Sequence, residues 1–178
     1  MIKTVKKIIS YIMVCVLFLS MCIPCEAAQT STATASDANA TTGFPQITST
    51  SAIIMDAQSG QIIYEKNSHT RQYPASITKI MTAYLAIKNG DLNSTITMSD
   101  AAVWGIDRNS SHIALDVGEE ISMSDALYAV MLMSANEAAW AIAEQVSGSL
   151  ENFVQLMNDT AQSLGCKDTH FTNANGLH

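Results

Sequence analysis

PASITKIMTAYLAIKNG, residues 74–90, is the stretch from which the fold is read. Within it Ile77, Ile80, Met81, Ala83, Tyr84, Leu85, Ala86 and Ile87 place apolar side chains on nearly every side of a helix predicted over Ser76 to Lys88. A helix that is apolar all round belongs inside a domain rather than on its surface. Pro74 suits the start, where its missing N–H costs nothing, and Gly90 ends the run. Two polar side chains stand against this pattern. Ser76 and Lys79 are three residues apart and share a face.

Two readings of that pair stay open at this point. In one, Ser76 sits in the first turn, where free backbone N–H groups and the positive end of the helix dipole stabilise an oxyanion. Lys79, buried, then loses its proton more easily and serves as a general base beside a nucleophile. In the other, Ser76 caps the helix and Lys79 snorkels to water. Ser-x-x-Lys alone does not choose between them.

Working outward, residues 51–66 (SAIIMDAQSGQIIYEK) hold two β-rich runs, Ile53 to Asp56 and Gln61 to Glu65. Gly60 can supply the positive φ of a tight turn between them, so a hairpin is predicted. Residues 91–121 mix short apolar runs with Asn, Ser, Asp and Gly and are expected to be irregular. A second helix is predicted from Ser122, where Ser122-Met-Ser-Asp125 forms a variant of the capping box. Its stripe is Met123, Leu127, Val130 and Met131. Ser134 lies three helical turns after Met123, which would return it to the same inward stripe. Asn136 falls at or beyond the break before a further helix. Ser134 and Asn136 are therefore expected at a buried helix–helix junction that can meet the first helix. The alternative is local: Ser134 ends one helix and Asn136 caps the next. Helices are also expected at about 136–146 and 150–164.

The front of the chain differs in kind. Lys3, Lys6 and Lys7 precede a stretch without charge, residues 8–23, and Ala27 and Ala28 follow as small residues that a signal peptidase can cut between. This is the layout of a secretory signal over residues 1–27; a retained membrane anchor is the alternative. Residues 28–45 are rich in Ser, Thr and Ala and too poor in large apolar groups to offset ordering, so they read as a spacer before a domain at 46–178. Apolar residues make up 48% of the chain and charged ones 14%. Without residues 1–27 the net charge is about −9, which argues against a nucleic-acid partner. Cys166 is then the sole cysteine, so neither an intramolecular disulfide nor a cysteine zinc site can form. His69, His112, His170 and His178 lack ligand spacing, so neither metal nor other cofactor is expected.

Taken together, Pro74-Ala-Ser-Ile-Thr-Lys-Ile-Met-Thr82 and Met133-Ser-Ala-Asn-Glu-Ala-Ala139, about 58 residues later, resemble the penicillin-binding serine D-alanyl-D-alanine carboxypeptidases. The hairpin, Val117-Gly-Glu-Glu-Ile-Ser122 and Ser163-Leu-Gly-Cys-Lys-Asp-Thr-His-Phe171, with Asn173 and Gly176-Leu177, also look like family sequence. The resemblance implies an α/β (α+β) fold of the DD-peptidase/β-lactamase-like type, a helical cluster packed on an antiparallel sheet. It implies Ser76 as acyl-ester nucleophile, Lys79 as general base, Ser134 as proton shuttle and Asn136 as a substrate-binding residue. The implied partners are a peptidoglycan stem peptide ending in D-Ala-D-Ala and β-lactam antibiotics, and the implied place is outside the cytoplasmic membrane, in the cell wall or beyond.

One departure stands out. The third family motif, Lys-Thr-Gly, is missing, and Asn175 stands where relatives often have histidine. The expectation is therefore an N-terminal portion of a longer protein, carrying only the hairpin and the helical region, poorly stable and weakly active by itself. Two rivals were weighed. A class A β-lactamase-like hydrolase needs a deacylating glutamate on a loop past the second motif, whereas Glu137 and Glu144 fall on predicted helices. A non-catalytic secreted peptidoglycan-binding module would survive replacement of Ser76.

Overall fold

Turn chemistry sets the first element. Asp56 Oδ1 accepts hydrogen bonds from the N–H groups of Gln58 (3.2 Å) and Ser59 (2.7 Å) and from the Ser59 hydroxyl (2.6 Å). These bonds, the Ser59 hydroxyl first, hold the Asp56 carboxyl below its usual range. With Gly60 at φ +72°, the chain reverses as expected. Strands β1 (Ala52–Met55) and β2 (Ile62–Lys66) pair antiparallel in the register Ile53↔Glu65 and Ile54↔Tyr64, with an irregularity between Ile54 and Met55. The computed structural model describes residues 46–178; the signal peptide and spacer expected at 1–27 and 28–45 lie outside the described residues. The chain divides into units of residues 1–49 and 50–178, and every element named here belongs to the second.

A 3-10 turn, Ala75–Ile77, leads into helix α1 (Thr78–Asn89), so the helix proper opens two residues later than expected. Only one face of it is buried: Thr78, Lys79, Thr82, Ala83, Leu85 and Ala86. Ile77, Ile80 and Ile87 stay 66%, 60% and 61% exposed, because no described element packs across them. The expectation of an interior helix holds for half its circumference.

Residues 91–121, expected to be irregular, carry three short elements. Strand β3 (Thr95–Thr97) pairs antiparallel with β4 (Glu120–Ser122), Ile96 opposite Ile121, and α2 (Asp100–Trp104) lies between them in sequence. The Ser99 hydroxyl caps α2 by accepting from the Ala102 N–H at 2.9 Å. Helix α3 (Met123–Met133) starts at the predicted capping box: Ser122 Oγ accepts from the Asp125 N–H at 3.0 Å and donates to the Asp125 carboxylate at 2.7 Å. Its buried face is Met123, Ala126, Ala129 and Val130; Met131, expected in the stripe, points to solvent. Helices α4 (Asn136–Ser147) and α5 (Leu150–Ser163) follow close to the expected bounds.

Helix α4 is the hub, packing against α1, α2, α3, α5 and β3. Small side chains make that possible. Ala135, Ala138, Ala139 and Ala141 are buried with Ile96, Met98, Met123, Val130 and Ile142 in one core, and alanine lets helix backbones approach closely. A second cluster, Leu85, Ala143, Phe153, Met157 and Ala174, joins α1, α4 and α5 to the segment after α5. Asn158 fastens that segment from both sides, its side chain donating to Phe171 O (2.9 Å) and accepting from Phe171 N (2.8 Å).

Candidate active site

Two pieces of chain meet α1 and the turn before it, the α3–α4 junction and the segment 171–178, and the segment 107–115 meets the start of α4. Polar contacts fix each of them in addition to the apolar packing. Thr82 Oγ1 donates to Ala174 O at 2.6 Å, and Asn173 Oδ1 accepts from the Gly176 N–H at 2.6 Å. Gly176, at φ +86°, lies so near Ala75 that an added Cβ would fall 2.0 Å from Ala75 O. No residue with a side chain fits there.

Ser76 is exposed, in the 3-10 turn just before α1. Ala75, immediately before it, holds φ +50°, a left-handed conformation that costs a non-glycine residue free energy and is concentrated at functional sites. The Ile77 N–H donates to Pro74 O at 3.1 Å, and the Thr78 N–H bonds Ala75 O and Ser76 O. Two of the first-turn donors expected to be free are thus engaged inside the turn.

Ser134 is half-buried and sits at the C-cap of α3 with φ +56°, ψ +33°. It does not continue the inward stripe of the helix, as the three-turn spacing suggested. The left-handed cap turns its side chain out of the helix, and its hydroxyl donates to Ser76 Oγ at 2.9 Å. Asn136 is the first residue of α4 and 3% exposed. Its Nδ2 donates to Ser110 Oγ at 2.9 Å, and its N–H to Ser111 O at 3.0 Å. The local alternative was half right: Ser134 does end α3, but α4 is capped by Ala135 without a side-chain bond.

Lys79 is 3% exposed, and its Nζ donates to Asn136 Oδ1 (2.7 Å) and Asn175 O (2.8 Å). It does not snorkel. A neutral amine has two N–H bonds and one lone pair, whereas an ammonium has three donors and no acceptor. Two acceptors satisfy the neutral amine and leave its lone pair available. Burial pushes the Lys79 ammonium below its ordinary value of 10.5, and the Glu137 carboxylate offsets part of that.

The structure joins the four residues singled out in the sequence as two pairs: Ser134 donates to Ser76 Oγ, and Lys79 donates to Asn136 Oδ1. Asn175 had been noted only as a departure. It contributes a main-chain oxygen, for which side-chain chemistry gives no sequence signal. Glu137, fully buried with Oε1 accepting from the Ile113 N–H at 2.7 Å, had been set aside as a helix residue.

The profile of the D-alanyl-D-alanine carboxypeptidase family matches residues 36–178. The chain is 42% identical over 141 residues to the D-alanyl-D-alanine carboxypeptidase DacA of Haemophilus influenzae, covering 75% of this chain and 35% of that protein. It is 40% identical over 130 residues to DacF of Bacillus subtilis, covering 71% and 33%. Among solved structures, penicillin binding protein 5 of H. influenzae superposes with a TM-score of 0.69 at 39% identity, over 75% of this chain and 40% of that one. A mutant of the Streptomyces K15 DD-transpeptidase gives a TM-score of 0.71 at 29% identity, over 76% and 55%. The chain spans about a third of the length of the two curated relatives.

Proposed function

This chain belongs to the D-alanyl-D-alanine carboxypeptidase family, and on that premise we propose that its site is the nucleophile half of a serine acyl-transfer centre that removes the terminal D-alanine from exported peptidoglycan stem peptides. The observation that carries the reading is the Ser134–Ser76–Lys79–Asn136 cluster: a hydroxyl pair at 2.9 Å beside a buried lysine held by two acceptors.

Those positions support the following steps. Lys79 Nζ takes the Ser76 proton while Ser76 Oγ bonds to the carbonyl carbon of the D-Ala-D-Ala peptide. The C–N bond breaks, and Ser134 relays the proton from Lys79 to the departing D-alanine amine. Water then adds to the acyl carbon as Lys79 Nζ takes one of its protons, the Ser76 ester breaks, and Lys79 passes that water-derived proton to Ser76 Oγ. Asn136 holds Lys79 through Oδ1 and, near the junction, orients the peptide group of the substrate. β-Lactams enter at the first step and form the same ester. Residues 1–27 act as the export signal that delivers the domain to the wall, and residues 28–45 as its spacer.

Labelling with a fluorescent penicillin tests the reading. The full-length protein is expected to gain one adduct, mapped by mass spectrometry to Ser76, and to release D-alanine from a peptide ending in D-Ala-D-Ala. Ser76→Ala is expected to lose both. A Ser76→Ala protein that still releases D-alanine would overturn the assignment, and rapid nitrocefin turnover would move the chemistry toward a β-lactamase.

A further inference from the structure

Lys79 and Glu137 are the two ionisable side chains buried among the described residues, 3% and 0% exposed. They have opposite charge, and they enter one cluster through adjacent residues, since Lys79 bonds Asn136 and Glu137 follows it on α4. Burying a carboxylate is costly unless its oxygens are satisfied or its charge is balanced. Glu137 Oε1 has the Ile113 N–H at 2.7 Å, while Oε2 is buried without a hydrogen-bond partner. Anchoring Ile113 needs one acceptor, which a neutral amide supplies equally well. The charge is what the anchoring role leaves unexplained.

We propose that Glu137 is a positioning residue that acts through Lys79, supplying the buried negative charge that balances the ammonium formed when Lys79 takes the Ser76 proton. The inference rests on the acyl-transfer reading above. Without Glu137, that proton transfer would leave a lone cation in a dry interior. With it, the transfer ends in a neutral pair, which makes the amine a stronger base at the moment it is used. Lys79 Nζ makes its hydrogen bonds to Asn136 and Asn175, so Glu137 acts through space rather than by contact. The opposing effects of burial and of the Glu137 charge on Lys79 agree with this.

The other ionisable groups on the packed elements are engaged elsewhere or solvated. On α4, Glu144 accepts from Ser99 and Trp140; on α3, Asp125 accepts from Ser122. On α5, Asp159 accepts from Gln155 and Glu151 is exposed; on α1, Lys88 lies over the Tyr84 ring. In the segment 107–115, Asp107 is exposed and accepts from the Asn109 N–H, Arg108 lies over the Trp104 ring with its Nη1 buried and without a hydrogen-bond partner, and His112 Nδ1 accepts from the Ala114 N–H. Asp100 on α2 and Glu120 on β4 are exposed. After α5, Lys167, Asp168 and His170 are exposed, and His178 packs against the Tyr73 ring.

The test is the pH dependence of Ser76 acylation by a fluorescent penicillin in the full-length protein, in Glu137→Gln and in Glu137→Asp, with folding checked by circular dichroism. Glu137→Gln keeps an acceptor for Ile113 and removes the charge. It is expected to slow acylation roughly tenfold at the plateau and to move the acid limb, where Lys79 becomes protonated, to lower pH by about one unit. Glu137→Asp is expected to restore most of both. If Glu137→Gln does not fold, Glu137→Met, which removes the charge and the Ile113 acceptor together, is read on the position of the acid limb alone. A Glu137→Gln protein that acylates more slowly with an unmoved limb reports a purely structural role for Glu137, and overturns the inference. So does one that matches the wild type. Absence of a Ser76 adduct in the wild type overturns the acyl-transfer reading instead, and the inference falls with it.

Discussion

The two faces of α1 are inverted relative to what hydrophobicity alone would choose. Inward, it carries Lys79, Thr82 and Thr78 among Ala83, Leu85 and Ala86; outward, it carries Ile77, Ile80, Tyr84 and Ile87. Of the inward polar groups, Lys79 and Thr82 find partners at 2.6–2.8 Å on Asn136, Asn175 and Ala174. A buried polar group that is fully matched is tolerated and fixes geometry. The outward isoleucines have no such partner among the described residues. The hairpin shares their condition, with Ile53, Ile54, Met55, Ile62 and Ile63 about half exposed. Burial here follows partner availability, and the side that has partners is the side with the chemistry.

The sharpest way to break the contrast is Lys79→Met, which turns the inward face apolar. Acylation by penicillin is expected to fall by about 10² to 10⁴, the contribution of a positioned general base. The same variant reports on linkage. Lys79 has a folded pKa below its unfolded value of 10.5, so the unfolded chain binds more protons between those two values. Wild-type stability should therefore gain from this residue as pH rises through that window, and urea unfolding across the range should show the gain disappear in Lys79→Met. A second variant, Phe153→Ala, attacks the cluster that holds the segment 171–178 against α1. It should cost about 3–5 kcal/mol in urea unfolding and weaken acylation as well, because Ala174 belongs to that cluster. The smallest effect belongs to the outward face. Ile80→Ser should change stability of residues 46–178 by less than about 0.5 kcal/mol. A loss of 2 kcal/mol or more in the full-length protein would show that this face is covered there.

Legibility in the sequence followed locality. The hairpin was readable because Asp56, Ser59 and Gly60 act within one turn, and α3 because Ser122 and Asp125 close a box three residues long. The pairing of β3 with β4 was not: each is three residues long, too short to show alternation, and the partner lies some 25 positions away. At the site, the four side chains were legible from motif spacing, yet their geometry was not. A periodicity argument carried Ser134 along the helix, where the backbone leaves it at a left-handed cap. The half-exposed α1 shows the same limit, since a residue pattern states what a helix can bury and not what is present to bury it.

The hydrogen bond from Lys79 to Asn175 O spans 96 residues of chain, and that from Lys79 to Asn136 spans 57. Synthesis is directional, so a growing chain presents Ser76 and Lys79 long before the acceptors that hold Lys79 exist. Until Asn136 has emerged, Lys79 lacks the burial that lowers its pKa and Ser76 lacks its Ser134 partner. Contacts this distant in sequence also form late in folding, after local helices. The site is therefore assembled with a built-in delay: Ser76 and Lys79 are delivered early, and the contacts that hold Lys79 come with residues made 57 and 96 positions later.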